Sequence, residues 1–264
     1  WGNSFKWLAG LLFGAWVRDK RMSLLDNRPL AALLGRRLPF ERIQQNIACG
    51  ALDAVAVTAS GYTSGQSCSF FEGAPHLGGW KRSHRVGLRT RISVDHLMAS
   101  AAIPFIFPAY KLNREFFGDG SMRQIAPISP AIHLGADRVL VIGVGQLQGG
   151  TARATHTGAQ YLYPNLAQIA GHAMAGIFLD ALASDVERLT RINATLALIP
   201  PDARDRTRLR PVDVLVISPS SRLDALAMRH VRQLPRTVRS ILRVIGATEK
   251  RGAALTSYLL FEPG

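Results

Sequence analysis

Three short apolar runs constrain this chain most: Ala54-Val55-Ala56-Val57-Thr58, Val139-Leu140-Val141-Ile142-Gly143 and Val212-Asp213-Val214-Leu215-Val216-Ile217. None shows the strict alternation of a strand with one wet face. Near-continuous apolar runs of this length suit strands covered on both faces, the condition of a parallel sheet between helices. Helical patterns lie between them. Residues 24–34 open with Ser23 and Asp26 as capping candidates, and Ser93 precedes a helix through Leu97 and Met98 that Pro104 ends. The longest pattern begins after Asn165. Leu166, Ile169, Ala170, Ala173 and Ile177 mark one face, followed by Leu182, Val186 and Leu189, and Gly171 and Gly176 give it places to kink. This alternation predicts an α/β class with helices on both sides of a mostly parallel central sheet.

A chain of 264 residues that is 47% hydrophobic can bury a substantial core. The glycine-, threonine- and arginine-rich stretch 148–158 and the charged stretch 200–211 read as exposed loops too short for linkers. One domain over 1–264 is therefore expected. Cys49 and Cys68 are far apart and form no Cys-x-x-Cys, which excludes a disulfide framework and most cysteine zinc sites. Both read as buried thiols, pointing to a reducing, cytoplasmic compartment. The apolar run 7–17 is broken by glycines, is too short to cross a bilayer and lacks a cleavage site. The chain starts at Trp1 and stops just after the apolar run Leu259-Leu260-Phe261, so truncation at both ends is the expectation.

The net charge of +14 favours an anionic partner. The excess is clustered: Lys81, Arg82, Arg85, Arg89 and Arg91 share one acid-free stretch, and Arg204, Arg206, Arg208 and Arg210 alternate in another. Neither cluster interleaves aromatics or matches a nucleic-acid motif, so peripheral contact with an anionic membrane ranks above DNA or RNA. The bland alternative is a solvated basic loop.

Chemistry concentrates at Phe116-Phe117-Gly118-Asp119-Gly120-Ser121, a short strand delivering one carboxylate into a glycine turn. Such a carboxylate can serve as base for a nucleophile, provided burial or a direct short contact improves on an ordinary aspartate pKa near 4. The competing reading is an Asp-Gly turn that only closes a loop. No nucleophile is evident. Gly61-Tyr62-Thr63-Ser64-Gly65 puts its serine one position late for an elbow and reads as a hairpin turn ahead of 67–71; Ser100 reads as packed. His96 neighbours Asp95, but adjacent helical residues do not face each other, and His84 lies in the basic stretch. No histidine pair has metal-ligand spacing, so no metal is expected. Gly143-Val144-Gly145 lacks the third glycine of a dinucleotide fingerprint, because position 148 is Gln148, and no cofactor is expected.

Read together, several segments resemble patatin-like phospholipases. They are Ser23-Leu24-Leu25-Asp26-Asn27 with Pro29-Leu30, Ala56-Val57-Thr58-Ala59, and His96-Leu97-Met98-Ala99-Ser100-Ala101-Ala102-Ile103-Pro104 with Phe107-Pro108. The match continues with Gly118-Asp119-Gly120, then Pro127-Ile128-Ser129-Pro130-Ala131-Ile132 leading into Gly135-Ala136-Asp137. It is strongest over 94–143. The resemblance implies a three-layer α/β/α fold with a mostly parallel central sheet, here incomplete at the N-terminus. It also implies a Ser-Asp dyad without histidine, acting on phospholipid or another acyl lipid. Asp119 matches the family's Asp-Gly-Gly or Asp-Gly-Ala aspartate, with Ser121 replacing the usual small residue. The family's glycine-rich oxyanion loop and Gly-x-Ser-x-Gly serine have no counterpart in the sequence. Asp119 is thus the one catalytic residue carried over, and the chain alone is expected to be inactive. The alternative implied by the same fold is a non-catalytic module that binds lipid or protein.

Overall fold

The computed structural model describes residues 23–143, except Leu24 and Phe105, and 180–230, except 205, 208, 221 and 222, with isolated positions at 236, 239, 240 and 243. The apolar run 7–17, the helical pattern 166–177, the loop 148–158 and the residues after Gly143 in the glycine turn lie outside them. The described residues are mixed α/β and fall into two compact units. One comprises those up to Gln124 with Ser129–Gly135, the other Ile125–Ile128 with those from Ala136.

The first unit holds a six-stranded mixed sheet. Its strands are β1 (Ala54–Gly61), β2 (Ser67–Gly73), β3 (Trp80–Arg82), β4 (Arg85–Arg89), β5 (Tyr110–Leu112) and β6 (Glu115–Asp119), in the order β3-β4-β2-β1-β6-β5. Here the expectation of a mostly parallel sheet needs correcting. β1 is antiparallel to both its neighbours, β2 and β6, and only β2 and β4 run parallel. The cause is local. The turn after Gly61 doubles back within a few residues, which permits only antiparallel pairing. Gly65 adopts φ +63° there, and its N–H donates to the Gly61 carbonyl at 3.1 Å. The expected hairpin is present, with Ser64 exposed at its tip.

One face of this sheet carries the core. Ala59, Cys68, Phe70 and Phe117 pack with Ile92, Ala99 and Leu112, flanked by Phe40 and Ile43. Three helices belong to this unit's first half: α1 (Arg28–Arg37), α2 (Glu41–Ala48) and α3 (Val94–Ser100). α3 packs on β1, β5 and β6. Ser93 is its N-cap, as expected, and the helix ends four residues before Pro104. α1 starts later than its apolar pattern suggests. Asn27 is its N-cap, Pro29 occupies its first turn, and Asp26 accepts instead from the Arg28 N–H at 3.0 Å. Cys68 is buried but Cys49 is exposed, because Cys49 sits at the C-terminal end of α2 rather than on an inward face.

The opposite face bears Trp80, Gly87 and Phe71, which register places together. The short helix α4 (Ser129–His133) brings His133 against the Trp80 ring at 4.9 Å between centroids.

The second unit contains a parallel pair, β7 (Arg138–Ile142) and β8 (Asp213–Ile217), with helices α5 (Asp180–Leu198), α6 (Pro201–Arg204) and α7 (Leu223–His230). The run at 54–58 and those at 139–143 and 212–217 therefore lie in different sheets among the described residues. β7 and β8 were expected to be covered on both faces, yet Leu140, Ile142, Leu215 and Ile217 are exposed. α5 meets the N-terminal approach to β8 through Asn193, whose amide donates to the Val212 carbonyl at 2.8 Å and accepts from its N–H at 3.1 Å. The expected loop at 200–211 begins with the turn of helix α6. No described helix is long and apolar enough to cross a membrane.

Candidate active site

Asp119 is the last residue of β6 and stands opposite Ala59 of β1. Its N–H donates to the Ala102 carbonyl at 2.9 Å, tying the strand end to the segment that follows α3. The chain then turns at once into a single 3₁₀ turn, Gly120–Arg123, with Asp119 as its cap. The turn is possible because residue 120 is glycine: a Cβ there would lie 2.1 Å from the Thr58 carbonyl oxygen. Ser60, buried on β1, holds the turn from the other side by donating its hydroxyl to the Gly120 carbonyl at 3.2 Å.

The carboxylate is fixed by one oxygen only. Oδ1 accepts from the Ser121 N–H at 2.8 Å and from the Ser121 hydroxyl. No described residue donates to Oδ2. Burial raises the Asp119 pKa above the ordinary aspartate range, and the two Ser121 hydrogen bonds pull against that rise. A carboxylate with one anchored oxygen, a second that accepts from no described residue, and increased basicity can accept a proton from a neighbouring hydroxyl. Ser121, whose replacement of the family's glycine or alanine is expected to alter only local hydrogen bonding, orients Asp119, a role the sequence reading does not assign.

Tyr62 is a second residue the sequence reading passed by. Its N–H donates to the Phe116 carbonyl at 3.0 Å, and its ring lies over Gly118, where a Cβ would come 2.7 Å from the phenol oxygen. Burial raises the phenol pKa most, and the negative charge of Asp119 raises it further. The hairpin tip that carries it is clamped by Glu115, which accepts from the Thr63 and Ser64 N–H groups at 2.9 and 2.7 Å. The sequence signal lies in Gly61-Tyr62-Thr63-Ser64-Gly65, where the tyrosine stands beside the serine.

The other sequence candidates do not join this site. Ser64 accepts from the Gln66 N–H at 3.2 Å within its own turn. His96 is buried against Phe70, and its Nδ1 accepts from the Ser93 N–H at 3.2 Å. Asp95 accepts from the Tyr110 hydroxyl at 2.5 Å instead of facing His96. Among the described residues no three His, Cys, Asp or Glu side chains group as a metal site. Comparison with family models, curated proteins and solved structures finds no match.

Proposed function

We propose that Asp119 is the base of a serine–aspartate acyl hydrolase of the patatin-like type, acting on phospholipid or another acyl lipid. The observation that carries this reading is the asymmetric carboxylate, with Oδ1 held by Ser121 and Oδ2 accepting from no described residue. A serine hydroxyl at Oδ2 would lose its proton to Asp119 as its oxygen attacks the ester carbonyl. Collapse of the tetrahedral intermediate returns that proton to the departing alcohol and leaves an acyl-serine. Water then attacks the acyl group, Asp119 takes the water's proton, and the fatty acid leaves as the serine is reprotonated. Tyr62 would supply the substrate with a neutral donor. The chain has no Gly-x-Ser-x-Gly, so the reading draws its serine and oxyanion loop from outside these 264 residues. The finer fold belongs to the same proposal: a three-layer α/β/α domain in which the exposed apolar face of β7 and β8 would be covered.

The test uses the intact protein as the cell makes it, a fluorophosphonate serine probe and a medium-chain acyl ester. Labelling and ester cleavage are expected, and Asp119→Asn should lower both by about a hundredfold or more. Retention of both in Asp119→Asn would overturn the role of Asp119. The absence of Gly-x-Ser-x-Gly also favours a second reading, a non-catalytic lipid- or protein-binding module. An intact protein that neither labels nor cleaves would select it.

A further inference from the structure

The β3–β4 hairpin places two arginines where simple pairing rules disfavour them. Arg82 and Arg85 are direct cross-strand partners beside the Ser83-His84 turn, with Trp80 opposite Gly87 one pair along the same face. Like charges in that relation repel. A third arginine on this face, Arg89, is held differently: its guanidinium donates to the Gly73, Ala74 and Leu77 carbonyls and lies over the Phe71 ring. Arg82 and Arg85 have no such arrangement. Among the described residues neither meets a carboxylate. Arg82 donates only to the carbonyl of its neighbour Lys81, and Arg85 has a buried Nε with no acceptor. A buried guanidinium N–H without a partner is costly, and an anion would satisfy it.

A third group, His133, packs on Trp80 of the same hairpin. Phe71, Trp80 and His133 stack in one column, with centroid separations of 5.4 and 4.9 Å. The column requires glycine at 87, where a Cβ would lie 2.2 Å from the Trp80 ring. His133 is thereby fixed within the field of both arginines. Burial lowers its pKa most, and Arg82 and Arg85 lower it further.

We propose that Arg82, Arg85 and His133 form a binding site for a phosphoryl group. Arginine forks match phosphate oxygens in geometry and charge. His133, protonated as the anion enters, would add a third donor. The site is distinct from the one at Asp119. Register runs Arg85, Ser67, Ser60, Gly118 across four neighbouring strands. Three strand spacings amount to about 14 Å, farther than the short glycerol linkage between an ester carbonyl and the phosphorus of one phospholipid can span. The phosphoryl group thus belongs to a second molecule, either a neighbouring lipid headgroup or a free phosphate. Because the readout is binding, the proposal stands or falls independently of any hydrolase activity.

The experiment follows the His133 imidazole and the Arg side-chain N–H signals of the intact protein by NMR as inorganic phosphate replaces chloride at constant ionic strength. In parallel, flotation is measured with phosphatidylcholine vesicles with and without phosphatidic acid. The expected result is a saturable shift at His133 with a rise in its pKa. Arg82→Gln and Arg85→Gln should each weaken binding about tenfold, as loss of a charge-assisted hydrogen bond does, while Arg42→Gln on α2 leaves it unchanged. Saturation by phosphate without vesicle binding assigns a free phosphate. Vesicle binding that needs phosphatidic acid, and that the same variants abolish, assigns a headgroup. No saturable response in either arm overturns the site, as does equal weakening by Arg42→Gln, which would mean a diffuse ionic effect. Arg82 is exposed, so its variant carries the test even where loss of the partly buried Arg85 disturbs folding.

Discussion

Gly120 presses against Thr58 so closely that a Cβ would sit 2.1 Å from the Thr58 carbonyl oxygen and 2.7 Å from its carbon. Both are backbone atoms of β1, held on one side by β2 and on the other by β6. They cannot swing aside as a side-chain end would. Gly120→Ala should therefore cost about 2–3 kcal/mol, the upper range for forced overpacking. Gly78, with nothing within 4 Å of its Cβ position and no positive φ, is the control. Gly78→Ala should stay within about 0.5 kcal/mol of the parent. Chemical denaturation of both variants checks the pair, and equal midpoints would mean that the 119–123 turn moves freely.

Asp119→Asn separates stability from chemistry. Burial raises the Asp119 pKa, so the protonated acid is preferred more strongly in the folded state than in the unfolded one. The associated stability is fully present below the unfolded pKa and is lost as pH rises through the folded one. At neutral pH the ionised group is thus a burden that an amide lacks, while the amide oxygen can still accept from the Ser121 N–H. The variant should melt at or above the parent temperature at pH 7, with its advantage shrinking toward pH 3. A variant clearly less stable than the parent at pH 7 would make Asp119 a structural residue.

How much of this was legible beforehand depended on the range of the forces involved. The Ser93 cap, the hairpin at 61–65 and the strand ending at Asp119 are local, set by residues within a few positions, and all three are where the sequence put them. Strand direction is not local. Ala54-Val55-Ala56-Val57-Thr58 has the apolar density of a parallel strand, yet β1 is antiparallel to both neighbours because of the turn that follows it and the distant β6. The same holds at the site. Asp119 announced itself through its glycines, whereas Tyr62 reaches Gly118 only by the pairing of β1 with β6, a contact that no spacing in the sequence encodes.

The two cysteines should differ sharply in reactivity. Burial, with a smaller effect from Glu115, raises the Cys68 thiol to about 11, so at neutral pH almost none is thiolate. Cys49 is exposed at the end of α2. Ellman's reagent at pH 8 should therefore modify one thiol quickly, lost in Cys49→Ser, and reach the second only on denaturation. Two thiols reacting at one rate in the native protein would contradict the burial of β2.

Acid sensitivity should come from histidines rather than from the carboxylates that dominate ordinary acid unfolding. His96 is 7% exposed and accepts at Nδ1 from the Ser93 N–H, a role that requires the neutral ring. Burial lowers its pKa, and the nearby charges of Asp95 and Glu72 only partly offset this. The unfolded chain takes up this proton near pH 6.5, the folded one only further down. Between those values the unfolded state binds more protons, so stability rises with pH there, is complete above the unfolded pKa, and is lost as pH falls. His133, also lowered, contributes with the same sign. Melting temperatures between pH 7.5 and 5 should decline, and His96→Gln, whose amide oxygen can accept from the Ser93 N–H, should flatten that decline while lowering stability at pH 7.5 by about 1 kcal/mol for the altered cap. An unchanged slope in His96→Gln would move the sensitivity to His133, which His133→Gln would then show.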